Sequence, residues 1–62
     1  MLTDRERQIL RLVKEGLSDY RIARRLDADP PSVTKSRKNA ITKLRKAAED
    51  LEWIKNLELN IT

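Results

Sequence analysis

The sequence predicts an all-α fold of three helices, the third drawn out into a long extension. Three observations point there. Capping residues mark the starts of two helices, the only glycine marks a helix stop, and no glycine or proline follows residue 31.

The stretch LTDRERQILRLVKEG reads as the first helix. Thr3 and Glu6 have the spacing of a capping box, and Gly16 supplies a left-handed stop. Ile9, Leu10 and Val13 share one face, with Leu2 and Leu17 at the two ends. SDYRIARRLD is a second, shorter helix. Ser18 caps it, Asp19 suits its positive end, and Ile22, Ala23 and Leu26 form its buried face. Leu17 alone separates the stop from the next cap, so the chain turns sharply there.

Asp27 and Ala28 form the next turn. Asp29 is placed as an N-cap, with Pro30 at the first helical position and Pro31 in the same first turn. Proline fits there because its missing N–H has no helical partner and its φ is preset. The third helix runs from Pro30 to about Asn56. Val33, Ala40, Leu44, Ala47, Leu51 and Ile54 recur at helical spacing, heptad-like from Ala40 onward. Such a helix is roughly 40 Å long, more than two short helices can cover. Val33, Ile41 and Leu44 are expected beneath the first two helices. Leu57, Leu59 and Ile61 alternate with polar residues and suggest an extended tail or a short strand.

At 62 residues the chain is one domain, residues 1–62, divided into a core at 1–46 and a helical tail at 47–62. It has no cysteine and no histidine, which removes disulfides and nearly all zinc and iron–sulfur arrangements. No metal and no cofactor are expected. With no Gly-rich phosphate loop either, an enzyme is not expected. Glu49, Asp50 and Glu52 read as a solvated acidic run. No apolar run approaches a membrane span and no signal-peptide pattern opens the chain. The expected location is the cytoplasm, associated with the nucleoid.

The charge is unevenly placed. The formal net charge is +4, yet residues 30–48 hold Lys35, Arg37, Lys38, Lys43, Arg45 and Lys46 with no acid. Residues 49–62 hold Lys55 against Glu49, Asp50, Glu52 and Glu58. A cationic segment of this kind is the footprint of a polyanion, or else a solvated basic face.

Helix, tight turn, helix, short turn, helix is the helix-turn-helix arrangement, whose last helix, here 30–43, lies in the DNA major groove. On a helical wheel Ser32, Lys35, Lys38, Asn39, Thr42 and Lys46 fall opposite Val33. With Ser36, Lys43, Arg24 and Arg25 they form the expected DNA-binding set. Lysine donates to guanine O6 and N7, asparagine pairs with adenine N6 and N7, and serine does either. Lys43 and Lys46 are expected on phosphates. Arg37, on the inward stripe, is expected to snorkel or to pair with an acid of the first helix. Tyr20 is expected to cover the core edge. Beyond Ala47 no intrachain element remains to cover Leu51, Trp53, Ile54 and Leu57. With Ala47 they are the expected dimerisation residues, making the chain a homodimer on double-stranded DNA. The relative direction of the two tails is open.

LTDRERQIL, followed by Gly16, Ser18, IA at 22–23, Leu26, Ser32, Val33 and KL at 43–44, resembles the LuxR/sigma region-4 class of helix-turn-helix. The segment KLRKAAEDLEWIKNL looks closer still to archaeal Tfx-type DNA-binding proteins. The resemblance covers about residues 2–57 and implies a sequence-reading helix at 30–43 and a role in archaeal transcription. Three departures stand out. Asp27 replaces the usual turn glycine, the two prolines replace more ordinary residues, and Tfx-like proteins carry a second domain where this chain stops. The chain is therefore expected to be a short relative or an excised fragment. Three readings stay open: a dimeric transcriptional regulator, an architectural or chromatin protein with little sequence preference, and a helical dimerisation module.

Overall fold

Helices α1 (Asp4–Lys14), α2 (Asp19–Leu26) and α3 (Pro30–Asn56) follow one another through short turns. The structure is a computed structural model and describes residues 1–57, among which there is no strand. The period-two pattern at 57–61 lies, beyond Leu57, outside the described residues.

The start of α1 is the expected capping box. The Glu6 N–H donates to Thr3 Oγ1 at 3.1 Å, and the Thr3 N–H donates to Glu6 Oε1 at 2.8 Å. Gly16 ends the helix at φ 92°. The Gly16 N–H reaches the Val13 carbonyl at 2.9 Å and the Leu17 N–H reaches the Leu12 carbonyl at 3.2 Å. This paired closure needs the left-handed region that a glycine enters without Cβ strain. Ser18 Oγ accepts from the Arg21 N–H at 3.3 Å and caps α2.

Asp27 closes α2 from the left-handed region at φ 54°. A short polar side chain tolerates that region, so the turn forms without glycine. Asp29 stands at the N-cap of α3 but makes no side-chain capping bond. The reason is local: Pro30 and Pro31 occupy the first two helical positions, so one of the two N–H groups a cap normally engages is missing.

The core gathers Ile9, Leu12, Ile22, Ala23 and Val33, with Val13, Leu17, Leu26 and Ala28 packed around it. Two expectations are corrected here. On α1 the buried apolar pair is Ile9 and Leu12, while Leu10 and Val13 are only half-buried. α1 packs against both other helices, so its buried arc centres on Ile9 and takes in Leu12. On α3 the buried residues are Val33 and Ala40; Ile41 is half-buried and Leu44 is 47% exposed. The cover supplied by α1 and α2 ends at about Lys43. Beyond it α3 stands alone, and the molecule is a rod of 45 × 18 × 18 Å.

Candidate nucleic-acid interface

Two ion pairs set how α3 sits on the other helices. Asp19, in the first turn of α2, takes a two-point contact from Arg37: Nε to Oδ1 at 2.9 Å and Nη2 to Oδ2 at 3.1 Å. The Thr34 hydroxyl donates to the same Oδ2 at 2.8 Å. Arg37 therefore pairs with α2, not with the expected acid of α1. The second pair is Lys43 Nζ to Glu6 Oε1 at 2.7 Å. Glu6 is buried, so one carboxylate both caps α1 and anchors α3 to it. Lys43, expected on phosphate, is half-buried and also donates to the Met1 carbonyl at 3.3 Å.

Both carboxyls are held below their ordinary values. For Glu6, ordinarily 4.5, the Lys43 hydrogen bond is the main cause, followed by the Thr3 N–H. For Asp19, ordinarily 3.8, Arg37 leads, Thr34 follows, and Lys38 adds a small attraction through space. A carboxyl lowered by folding stabilises the fold fully above its ordinary value and loses that contribution as the pH falls through the lowered one. The thermal midpoint is therefore expected to hold from neutral pH down to about these ordinary values and to fall below them. Circular-dichroism melts across that range check this. Glu6→Gln should lower the midpoint at neutral pH and flatten its fall in acid.

Subtracting the two paired cations simplifies the basic segment. Of its six cations, Lys35, Lys38, Arg45 and Lys46 are exposed and have no ion pair among the described residues. At 3.6 residues per turn, Lys35, Lys38, Asn39, Thr42 and Lys46 fall within an arc of about 100° opposite Val33. All five are exposed. Arg45 lies at the edge of this arc, nearest Lys38 in angle, and was not among the expected site residues although the same wheel places it there. Thr42 Oγ1 donates to the Lys38 carbonyl at 2.9 Å. Its proton is used within the helix, so towards a ligand the hydroxyl can only accept.

The arc has a helix on each flank. On one side is the start of α2, where Asp19 lies near enough to Lys38 to feel its charge. On the other is the start of α1, where Arg5 meets Ser32 and the half-buried Ser36 around a shallow hollow floored by Ile9, Ala28 and Val33. Arg24 and Arg25 are exposed on α2. Tyr20, expected to cover the core, is instead 60% exposed, with the Arg24 guanidinium 5.9 Å from its ring centre. On α2 it lies about 160° around the helix from Ile22 but only about 60° from Ala23, at the margin of the buried face.

Of the distal residues, Leu51 is 52% exposed, Leu57 49% and Ile54 half-buried; Ala47 is exposed. Val33 and Leu51 are separated by five full turns, about 18 residues, so Leu51 continues the inward stripe. Trp53 does not. It falls in line with Lys35, beside Ala48, Glu49, Glu52 and Asn56, and is 64% exposed. No group of acidic side chains among the described residues is arranged to hold a metal. No helix among them is long and apolar enough to cross a membrane.

A capped pair of short helices bracing a third, whose outer face carries amide, hydroxyl and ammonium groups, is a helix-turn-helix DNA-binding domain. Residues 1–52 match the family model of the bacterial regulatory proteins of the luxR family, GerE, and the chain belongs to that family. It is a DNA-binding, non-enzymatic family. No curated protein and no solved structure matches the chain.

Proposed function

We propose that the chain is a dimeric transcriptional regulator that reads duplex DNA with residues 30–43. The observation that carries this is the set of four cations, Lys35, Lys38, Arg45 and Lys46, that have no ion pair among the described residues and lie on or at the edge of the arc that holds Asn39, opposite the core. Ser32, Ser36, Lys35, Asn39 and Thr42 are assigned to base edges or the adjoining backbone. Lys38, Arg45, Lys46, Arg24 and Arg25 are assigned to phosphates. Lys43 is assigned mainly to its pair with Glu6. The unbroken 27-residue α3, carrying KLRKAAEDLEWIKNL, supports placing the chain with the archaeal Tfx-type group. Its site of action is then the DNA of the cytoplasmic nucleoid. Ala47, Leu51, Ile54 and Leu57 are assigned to self-association; Trp53 stands apart from their stripe.

Four to six phosphate contacts per protomer give a slope of log affinity against log salt of about −3.6 to −5.4. Fluorescence anisotropy with a labelled duplex between 50 and 200 mM salt measures it, and a slope near zero rejects the proposal. Duplexes selected from a random pool supply the preferred site. On that site Asn39→Ala should reduce discrimination against a changed base by about 1–3 kcal/mol. Lys46→Ala should weaken all sequences alike and reduce the slope by about one.

A second reading is an architectural protein that binds duplexes with little preference. The prevalence of lysines on the face favours it, since a lysine is a point charge and Asn39 is the one amide there. Competition by unrelated duplex separates the two readings. Equal competition, with Asn39→Ala silent, establishes the second.

A further inference from the structure

We infer that the hollow between α1 and α3 seats the sugar–phosphate backbone of the DNA strand that borders the reading face on its α1 side, and that Arg5 supplies the cation of this contact. The inference rests on the DNA-binding reading above and adds to it a residue outside the reading helix. The rim of the hollow carries the Arg5 guanidinium and the hydroxyls of Ser32 and Ser36, over a floor of Ile9, Ala28 and Val33.

The chemistry of the hollow selects an anion. Ile9 and Val33 are each 1% exposed, so the floor offers an apolar ligand almost nothing to cover. The groups around it are one guanidinium and two hydroxyls, and no acidic side chain among the described residues lines the space. A guanidinium matches a phosphate in charge and in the two-point geometry of its donors, and serine hydroxyls donate to phosphate oxygens. The volume, about 220 Å³, is several times the roughly 30 Å³ share of one water, which leaves room for a phosphate group.

Position in the fold selects DNA as the source of that phosphate. The major groove is about 12 Å wide, and a helix with its side chains is about 10–12 Å across. A helix seated there has a phosphate strand along each flank. Measured around α3 from Val33, Asn39 lies at about 240°, Ser32 at about 260° and Ser36 at about 300°, on the side where α1 packs. Lys38 and Arg45, at about 140° and 120°, supply the other flank with charge. Within residues 30–46 the one cation past Asn39 on the α1 side is Lys43, and Glu6 holds it. Arg5 is exposed and has no ion pair among the described residues. It is the cation that completes this flank.

The helix period separates Arg5 from the other arginines of α1. Arg5 lies about 40° around α1 from the buried Ile9, whereas Arg7 and Arg11 each lie about 160° from it. Those two border a separate hollow with Asp4 and Gln8. A phosphate held from α1 also fixes the rotation of α3 in the groove, because the contact is lost if α3 rolls about its axis.

The test uses the whole chain and the labelled duplex selected from the random pool. Arg5→Gln keeps most of the side-chain stem over the floor and removes the charge. It should reduce the magnitude of the salt slope by about 0.9 per protomer and, extrapolated from 1 M salt, weaken binding at 0.1 M about eightfold. Arg5→Lys, which keeps the charge, should restore the slope, and Arg7→Gln should leave it as in the wild type. The melting midpoints of all three should match the wild type. The contact is then located by replacing single phosphates of the duplex with uncharged methylphosphonates. One or two neighbouring positions on one strand should weaken the wild-type chain and have no effect on Arg5→Gln. A wild-type slope of about −3.6 to −5.4 with Arg5→Gln unchanged overturns this inference and leaves the DNA-binding reading standing. So do equal losses for Arg5→Gln and Arg7→Gln, or methylphosphonates that weaken Arg5→Gln and wild type alike at every position. Inorganic phosphate that raises the wild-type melting midpoint and not that of Arg5→Gln, with no methylphosphonate position distinguishing the two, makes the hollow a free-anion site and overturns its assignment to DNA. A wild-type salt slope near zero overturns both readings.

Discussion

Ile22→Ala is expected to leave the chain largely unfolded at room temperature. Ile22 is 0% exposed and sits in one cluster with Ile9, Leu12 and Val33, so it touches the packing of all three helices. Truncating a buried isoleucine to alanine costs about 2–5 kcal/mol, including the cavity left behind. A core in a chain of this length supplies only about 3–5 kcal/mol. The two figures are the same size, so the loss takes most of the available stability. Far-UV circular dichroism should show most of the helical signal gone, and DNA binding should go with it. Leu10→Ala, at the half-buried edge of α1, should cost less and leave the domain folded. A native spectrum for Ile22→Ala would mean that the bundle is held by something other than this core.

The largest effect on DNA binding is expected from replacing Lys35, Lys38, Arg45 and Lys46 together by alanine. If each neutralises one phosphate, the salt slope should decrease in magnitude by about 3.6. Taking 1 M salt as the point where the electrostatic contribution vanishes, affinity at 0.1 M should fall by about 10^3.6, several thousandfold. The four side chains are exposed and make no ion pair among the described residues, so the fold should be unchanged by circular dichroism. Arg37→Ala and Lys43→Ala remove the same kind of charge but should behave differently. Each leaves a carboxylate, Asp19 or Glu6, without its cation. Their main effect should be a lower melting temperature, with a smaller change in salt slope. Salt titrations and melts of the six positions separate the two groups. If all six positions gave equal loss of slope, the division into structural and DNA-facing cations would be wrong.

That division marks where sequence reasoning ran out. The basic segment without acids is plain in the sequence, but acids elsewhere in the chain reach two of its six cations. Glu6 lies 37 residues from Lys43 and Asp19 lies 18 residues from Arg37. The two partners of each pair sit on different helices, so no periodicity within a helix could reveal them. Glu6 was legible as a cap because Thr3 is its near neighbour; its second partner was not. Tyr20 and Trp53 were assigned by residue type, as aromatic cover for apolar surface. The helix period alone puts Trp53 in line with Lys35 on the outward face; Tyr20 falls at the margin of the buried face of α2, and the packing leaves it exposed.

What the sequence by itself determined is local. Thr3, Gly16, Ser18 and Asp27 bound the first two helices because caps and left-handed stops act within a few residues. The two prolines set where α3 begins, and the absence of later breakers lets it run on. The face of α3 opposite Val33 was likewise readable, because one buried residue and a 3.6-residue period orient a whole helix. The tertiary structure decided which apolar residues are buried, Leu12 rather than Leu10 and Ala40 rather than Leu44, because burial depends on where a neighbouring helix ends. It also decided which charges are free. A carboxylate brought to an ammonium by packing cancels it at a distance no local pattern encodes, and what remains uncancelled is the surface available to DNA.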